Sequence, residues 1–161
     1  MNLETLLNLR TLALRNDKVQ AIFEVYSEML LAYDTAMRAD DFVEIKTPKI
    51  LASATEGGAN VFKIKYFGGD AFLAQSPQFY KQAGMSVFER VFEVGAVFRA
   101  EPSYTTRHVS EYTNYIDIFR YGAPPHGGWG LGSERIVQKI LGLQSIKEAV
   151  LYPRDVKRLT P

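Results

Sequence analysis

From Val19 to Met37 apolar side chains return every three or four positions: Val19, Ile22, Phe23, Tyr26, Met29, Leu30, Tyr33 and Met37. That spacing lines one face of an α-helix, so the stretch predicts a long amphipathic helix that must bury its stripe against other elements. Asn16 or Asp17 is placed to cap its start. Asp40 and Asp41 at its end oppose the helix dipole, which predicts fraying there.

Beyond the stripe the apolar runs are shorter and alternate. "FVEIKTPKI", residues 42–50, is extended, and Pro48 confines it to a sheet edge or a strand end. "SATEGGAN" is a loop, "VFKIKYF" and "AFLAQ" are strands, and "GGD" between them reads as a hairpin turn. Ser76 as N-cap and Pro77 in the first turn start a second helix. In "RVFEVGAVFRAE" the period of two sets Phe92, Val94, Ala96 and Phe98 on one face. It sets Glu93, Gly95, Val97, Arg99 and Glu101 on the other. "PSYTT" turns the chain and "VSEYTNYIDI" returns it. The glycine-rich "YGAPPHGGWGLG" then leads to a helix, "SERIVQKILGL", with Ile136, Val137, Ile140 and Leu141 on one side and Gly142 near its end. Hairpins outnumber βαβ units in this order. It predicts an α+β fold, an antiparallel β-sheet flanked by helices, in one domain of 161 residues.

Composition narrows the function classes. Nineteen basic and eighteen acidic side chains give a formal charge of +1, so bulk charge does not mark a nucleic-acid binder, although a local basic surface is compatible with it. There is no cysteine and only two histidines, which removes disulfides and thiolate sites and starves any histidine-based metal site of ligands. No apolar run approaches the roughly 18 residues a membrane span needs. The start, "MNLETLLNLRTLALRN", mixes leucines with charges and reads as no signal peptide. A reducing, cytoplasmic setting is the expectation.

Three stretches carry groups suited to chemistry. Arg99 and Glu101 share a strand face about 7 Å apart. The planar fork of Arg99 suits a phosphate, Glu101 can accept from an adenine amino group, and Arg107 and His108 follow in the turn. An Arg/Glu neighbour pair is also an ordinary surface ion pair, so this stretch alone decides nothing. In "GGWGLGSER" alternate glycines, Gly128, Gly130 and Gly132, clear a flat surface for a planar ring. Arg135 in the first helical turn can stack on that ring, and the helix start favours an anion. It is not a Walker loop, and a glycine-rich turn into a helix is its plain reading. In "QSPQFYKQ", Gln75, Gln78 and Lys81 can line a polar pocket, or simply form an exposed helix start. Glu56, Gly57 and Gly58 form a loop able to act as a lid. His126, between prolines and glycines, reads as structural.

Taken in order, "FVEIKTP", "FRAE…RH" and "GWGLGSER" resemble the three signature motifs of class II aminoacyl-tRNA synthetases. "TEGGA", "QSPQFYKQ", "FERVFEVGAVFRAE", "YGAPPHGG" and "YPRDVKRLTP" resemble the aspartyl branch, in its archaeal or non-discriminating form. The resemblance implies activation of aspartate by ATP to an aspartyl-adenylate, with transfer to the tRNA acceptor end. Catalytic roles fall to Arg99 on the α-phosphate and Arg135 over the adenine. Glu101, Arg107, His108, Gly130 and Gly132 complete ATP binding. Glu56, Gly57, Gly58, Gln75, Gln78, Lys81 and Asp117 receive the amino acid, with Lys81 facing its side-chain carboxylate. The segment from Phe42 to Pro48 matches the motif that builds a homodimer interface.

The sequence also departs from that pattern. The anticodon-reading OB-fold has no counterpart in it. At "YIDIFRYGAPP" the chain passes, near residues 118–119, over a long segment that carries the family's magnesium ligands and a further aspartate-clamping arginine. Magnesium is therefore expected to arrive with ATP, without protein ligands. Asp41 stands where the family usually has glycine. These departures describe a minimal catalytic core, or urzyme. They leave two rival readings: an inactive ATP-binding scaffold, and an asparagine synthetase-like use of the adenylate.

Overall fold

The computed structural model describes residues 2–53, 61–98, 120, 122 and 124–153. The chain divides into two compact units, one of residues 1–36 with 127–161 and the other of residues 37–126.

In the first unit, helices α1 (Leu3–Asn8) and α2 (Arg10–Ala13) lead into α3 (Asp17–Ala39), which continues into the second unit. Asn16 supplies the α3 cap, its side-chain oxygen accepting the Lys18 N–H at 3.1 Å. Helix α5 (Ser133–Leu141) and a 3-10 turn (Ile146–Ala149) complete the unit. Val137 on α5 is fully buried, with Leu7, Ala13, Val19 and Ala149 also in the core. Ile140 and Leu141, expected on the same face as Val137, are exposed, so the apolar stripe of α5 is narrower than its sequence suggests. Gly142 ends α5 in the left-handed region at φ +62°. Arg10 is buried against the Phe23 ring, 5.3 Å from its centroid. Its guanidinium donates to the carbonyls of Leu151 (2.7 Å), Val150 (2.7 Å) and Glu148 (3.2 Å), which satisfies the end of the 3-10 turn.

The second unit holds two small sheets. Strand β1 (Val43–Glu44) pairs in parallel with β5 (Val91–Phe92). Strands β2 (Ile50–Leu51), β3 (Lys63–Tyr66) and β4 (Gly69–Leu73) form an antiparallel sheet in the order β2-β4-β3. Helix α4 (Gln78–Phe88) lies between β4 and β5 in sequence. The antiparallel sheet and helices agree with the expected α+β class, whereas the parallel pair was not anticipated. The alternation over residues 90–101 predicts one continuous strand. Among the described residues of that stretch only Val91 and Phe92 lie in a ladder, and Glu93 and Phe98 take other partners.

Three local features correct the sequence reading. The hairpin turn is Phe67–Gly68 rather than Gly68–Asp70, with Tyr66 opposite Gly69. Both turn residues have positive φ, +45° and +82°, as a type I′ turn requires. Helix α4 starts one residue later than expected, with Pro77 at the cap position, though Ser76 Oγ still accepts the Gln78 N–H at 3.2 Å. Finally, the end of α3 is closed, not frayed. The Phe42 N–H reaches the Met37 carbonyl at 3.0 Å, and the Asp41 N–H reaches the Arg38 carbonyl at 3.2 Å. Asp41 takes φ +61° between them, so the three residues complete a Schellman motif.

Candidate functional site

In the second unit the candidate residues gather at the start of α4. The Ala74 N–H donates to the Lys49 carbonyl and the Phe98 N–H to the Ala74 carbonyl, both at 2.9 Å. Residue 74 is thereby sandwiched between two chain segments, and the next residue, Gln75, is only 2% exposed. The Gln75 side-chain oxygen has no hydrogen-bond partner among the described residues. Leaving such an acceptor unmet costs about 1–3 kcal/mol, so it is a group primed for a donor. Gln78 is exposed and Lys81 half-buried, three positions apart on one side of the helix.

One turn on, Gln82 makes a contact the sequence did not announce. Its amide nitrogen lies 2.8 Å from His126 Nε2, and His126 Nδ1 lies 2.9 Å from the Pro124 carbonyl. A carbonyl can only accept, so Nδ1 carries the proton and Nε2 accepts from Gln82. This pins residues 124–126 to α4 and agrees with the structural role expected of His126. The cue was the final glutamine of "QSPQFYKQ", but its partner lies 44 residues away.

In the first unit the glycine stretch precedes α5. A Cβ built on Gly127, Gly128 or Gly130 meets nothing within 4 Å, and on Gly132 only the Arg135 Cβ at an ordinary 3.6 Å. None of the four has a positive φ that would demand glycine. Neither packing nor backbone geometry among the described residues demands glycine at these positions. Gly132 is the N-cap of α5 with no side-chain hydrogen bond, and Arg135 is exposed on the first turn. The uncapped N–H groups there favour an anion.

Tyr26, read from the sequence only as part of the α3 stripe, supports this helix start. Its hydroxyl lies 2.7 Å from Ser133 Oγ and donates to Glu134 Oε1 at 3.2 Å, the two residues just before Arg135. Burial pushes the Tyr26 phenol above its ordinary pKa, with the carboxylate of Glu134 adding to the effect and the Ser133 hydrogen bond opposing it. The Tyr33 ring meets Trp129 edge-on at 6.0 Å. Arg99, Glu101, Arg107, His108, Glu56, Gly57, Gly58, Asp117 and the junction near 118–119 lie outside the described residues. The described candidates therefore form two groups, one in each unit: Gln75, Gln78 and Lys81, and Gly130, Gly132 and Arg135. Among the described residues no group of three or more His, Cys, Asp or Glu is arranged to hold a metal ion. No helix among them is long and apolar enough to cross a membrane.

Comparison with known proteins matches these elements to one family. The family model of tRNA synthetases class II (D, K and N) matches residues 2–115 and again 110–156. Aspartate–tRNA(Asp/Asn) ligase of Deinococcus radiodurans is 51% identical over 118 residues, covering 73% of this chain and 27% of that protein. The Archaeoglobus fulgidus enzyme of the same name is 44% identical over 316 residues, covering 99% of this chain and 74% of the relative. Asparaginyl-tRNA synthetase from Pyrococcus horikoshii, solved with asparaginyl-adenylate, superposes with a TM-score of 0.60 at 37% identity. That match covers 68% of this chain and 25% of the solved one. The chain thus spans roughly a quarter of the length of several relatives it matches.

Proposed function

Because the chain belongs to the class II tRNA synthetases of the D, K and N branch, we propose that it activates an amino acid, aspartate first, with ATP. The observation that carries this reading is the stretch from Gly128 to Arg135. A Cβ added at its glycines would meet little among the described residues, and its arginine stands at an uncapped helix start. An adenine lying on the glycines places Arg135 over its ring. Gln75 offers its buried oxygen, unmatched among the described residues, to the ammonium group of the amino acid. Gln78 and Lys81 face the rest of it, with Lys81 toward a side-chain carboxylate. Glu56, Gly57 and Gly58 close over it, and Asp117 joins the same pocket.

In the reaction the aspartate α-carboxylate oxygen bonds to the α-phosphorus of ATP. The bond from that phosphorus to the bridging oxygen breaks, and pyrophosphate leaves with the electron pair. Arg99 neutralises the α-phosphate, Glu101 holds the adenine amino group, and Arg107 and His108 meet the outer phosphates. Magnesium enters as part of the MgATP substrate. The protein supplies position and charge rather than a covalent nucleophile. Transfer to a tRNA acceptor end, a dimer through Phe42–Pro48 and a cytoplasmic setting complete the proposal.

The chain is proposed as a single shortened core with its junction near 118–119. The two-part family match supports this, as does an alignment that runs over 316 residues for a chain of 161. Aspartate-dependent pyrophosphate exchange tests the activity. The unmodified protein is expected to exchange, and Arg99→Ala and Arg135→Ala each to lose roughly 100-fold or more. Nucleotide binding without exchange would mark a scaffold, and ammonia-dependent asparagine formation would mark the synthetase-like alternative. An unchanged rate in Arg99→Ala would refute the mechanism.

A further inference from the structure

The β1–β5 ladder ends in an unusual way. Val43 N–H donates to the Arg90 carbonyl and Ile45 N–H to the Phe92 carbonyl, both at 2.9 Å. A parallel ladder would next join Thr47 N–H to the Val94 carbonyl. Thr47 N–H instead donates to Glu93 Oε1 at 3.0 Å, and the Thr47 hydroxyl to Glu93 Oε2 at 2.8 Å. The Val94 carbonyl is left to Lys46 Nζ at 3.3 Å. A side chain has replaced the backbone as the next rung.

Lys49 completes the arrangement with an ion pair to Glu93 Oε1 at 2.8 Å. The Glu93 side chain is 2% exposed and that of Lys49 29%. Gly95 belongs to the same site, since a Cβ there would stand 3.3 Å from both Glu93 Oε1 and Lys49 Nζ. Burial alone would raise the Glu93 pKa. The Lys49 and Thr47 hydrogen bonds outweigh it and hold the carboxyl below its ordinary value.

The location matters because the chain leaves β1 here and next bonds to the residue that follows β4. At Phe92 it pairs with β1. At Phe98 its N–H pairs with Ala74, the residue that follows β4, while the Ala74 N–H pairs with Lys49 just before β2. Glu93 is thus fastened to Thr47 on the β1 side and Lys49 on the β2 side of the crossing. Gln75 follows Ala74, and Arg99 follows Phe98.

We propose that Glu93 is a positioning residue for amino-acid activation: its carboxylate, held by Thr47 and Lys49, fixes the course of residues 93–98 and hence, through the Phe98–Ala74 hydrogen bond, where Gln75 is presented. This rests on the proposed activation of aspartate by ATP. The test compares Glu93→Gln, Glu93→Asp and Thr47→Val, assayed well below their melting temperatures. It uses pyrophosphate exchange together with amide hydrogen exchange at Phe98 and Ala74. Glu93→Gln and Glu93→Asp are expected to lose protection at both amides and to lower kcat by between about 10- and 100-fold. The KM for aspartate should rise in parallel, whereas a role in stability alone would leave both constants unchanged below melting. Thr47→Val is expected to give a smaller loss of the same kind, and it replaces the glutamate variants if they do not fold. Unchanged protection overturns the proposal, and so does lost protection with unchanged kinetic constants. An unmodified protein that shows no exchange would instead sink the functional reading, while the amide data still decide whether Glu93 sets the strand.

Discussion

Asp41 offers a direct test of what a side chain costs at the left-handed end of α3. It sits at the C′ position of α3 with φ +61°, a conformation that ordinary L-residues reach at a cost of about 1–2 kcal/mol and aspartate at somewhat less. Its charge also stands at a helix C-terminus, an unfavourable location by about 0.3–1 kcal/mol. Replacing it with glycine removes both penalties and returns about 0.5–1 kcal/mol through the greater freedom of the unfolded chain. The balance favours Asp41→Gly by about 1 kcal/mol, a rise in Tm of roughly 2–4 °C for a domain of this size. Asp41→Ala is the control, since it removes the same charge but keeps a Cβ. The two variants should differ by about 1 kcal/mol, glycine the more stable, in thermal melts followed by circular dichroism. Equal midpoints for glycine and alanine would show that left-handed strain at this position is not the operative cost.

Tyr26→Phe removes only the hydroxyl shared by Ser133 and Glu134, and should lower stability by about 1 kcal/mol in urea titration. Because the Tyr26 pKa is raised in the fold, its contribution is complete below the ordinary phenol value of about 10 and is lost as pH rises through the native value. The Tyr26→Phe protein should therefore show a weaker alkaline loss of stability, with the part due to Tyr33, also raised by burial, remaining. Phe67, 93% exposed and held at φ +45°, should give a gain of about 0.5 kcal/mol on replacement by asparagine. Phe67→Ala should give none, as urea midpoints will show.

Elements whose signals are local were legible in the sequence. The α3 stripe, the Asn16 cap, the helix after "QSP" and the Gly142 stop each depend on residues within a turn or two. The hairpin was misplaced by one residue because "FGGD" offers two ways to turn. Register is settled by burial, which sets Ile64 opposite the buried Ala71, and the turn must accept Phe67 as a consequence. Asp41 misled for a similar reason: residue preference argues against a closed helix end, yet the Phe42 and Asp41 amides close it. The parallel β1–β5 pair joins segments 48 positions apart, and no periodicity announces such a pairing. Glu93 followed from that omission. Alternation set it on a polar face beside Arg99, while the unseen partner strand buries it. In the candidate site, Gln75 and Arg135 stood out by motif, but Tyr26 and Gln82 act across 107 and 44 residues and carry no local mark.

The single tryptophan of the chain lies between two of the open glycines, more than half exposed and edge-on to Tyr33. An indole so placed is a built-in fluorophore. Anything that settles on the neighbouring backbone changes the polarity around it, and its emission should shift or quench accordingly. Occupancy of this surface can therefore be followed optically in the unlabelled protein, one ligand at a time, without waiting for turnover.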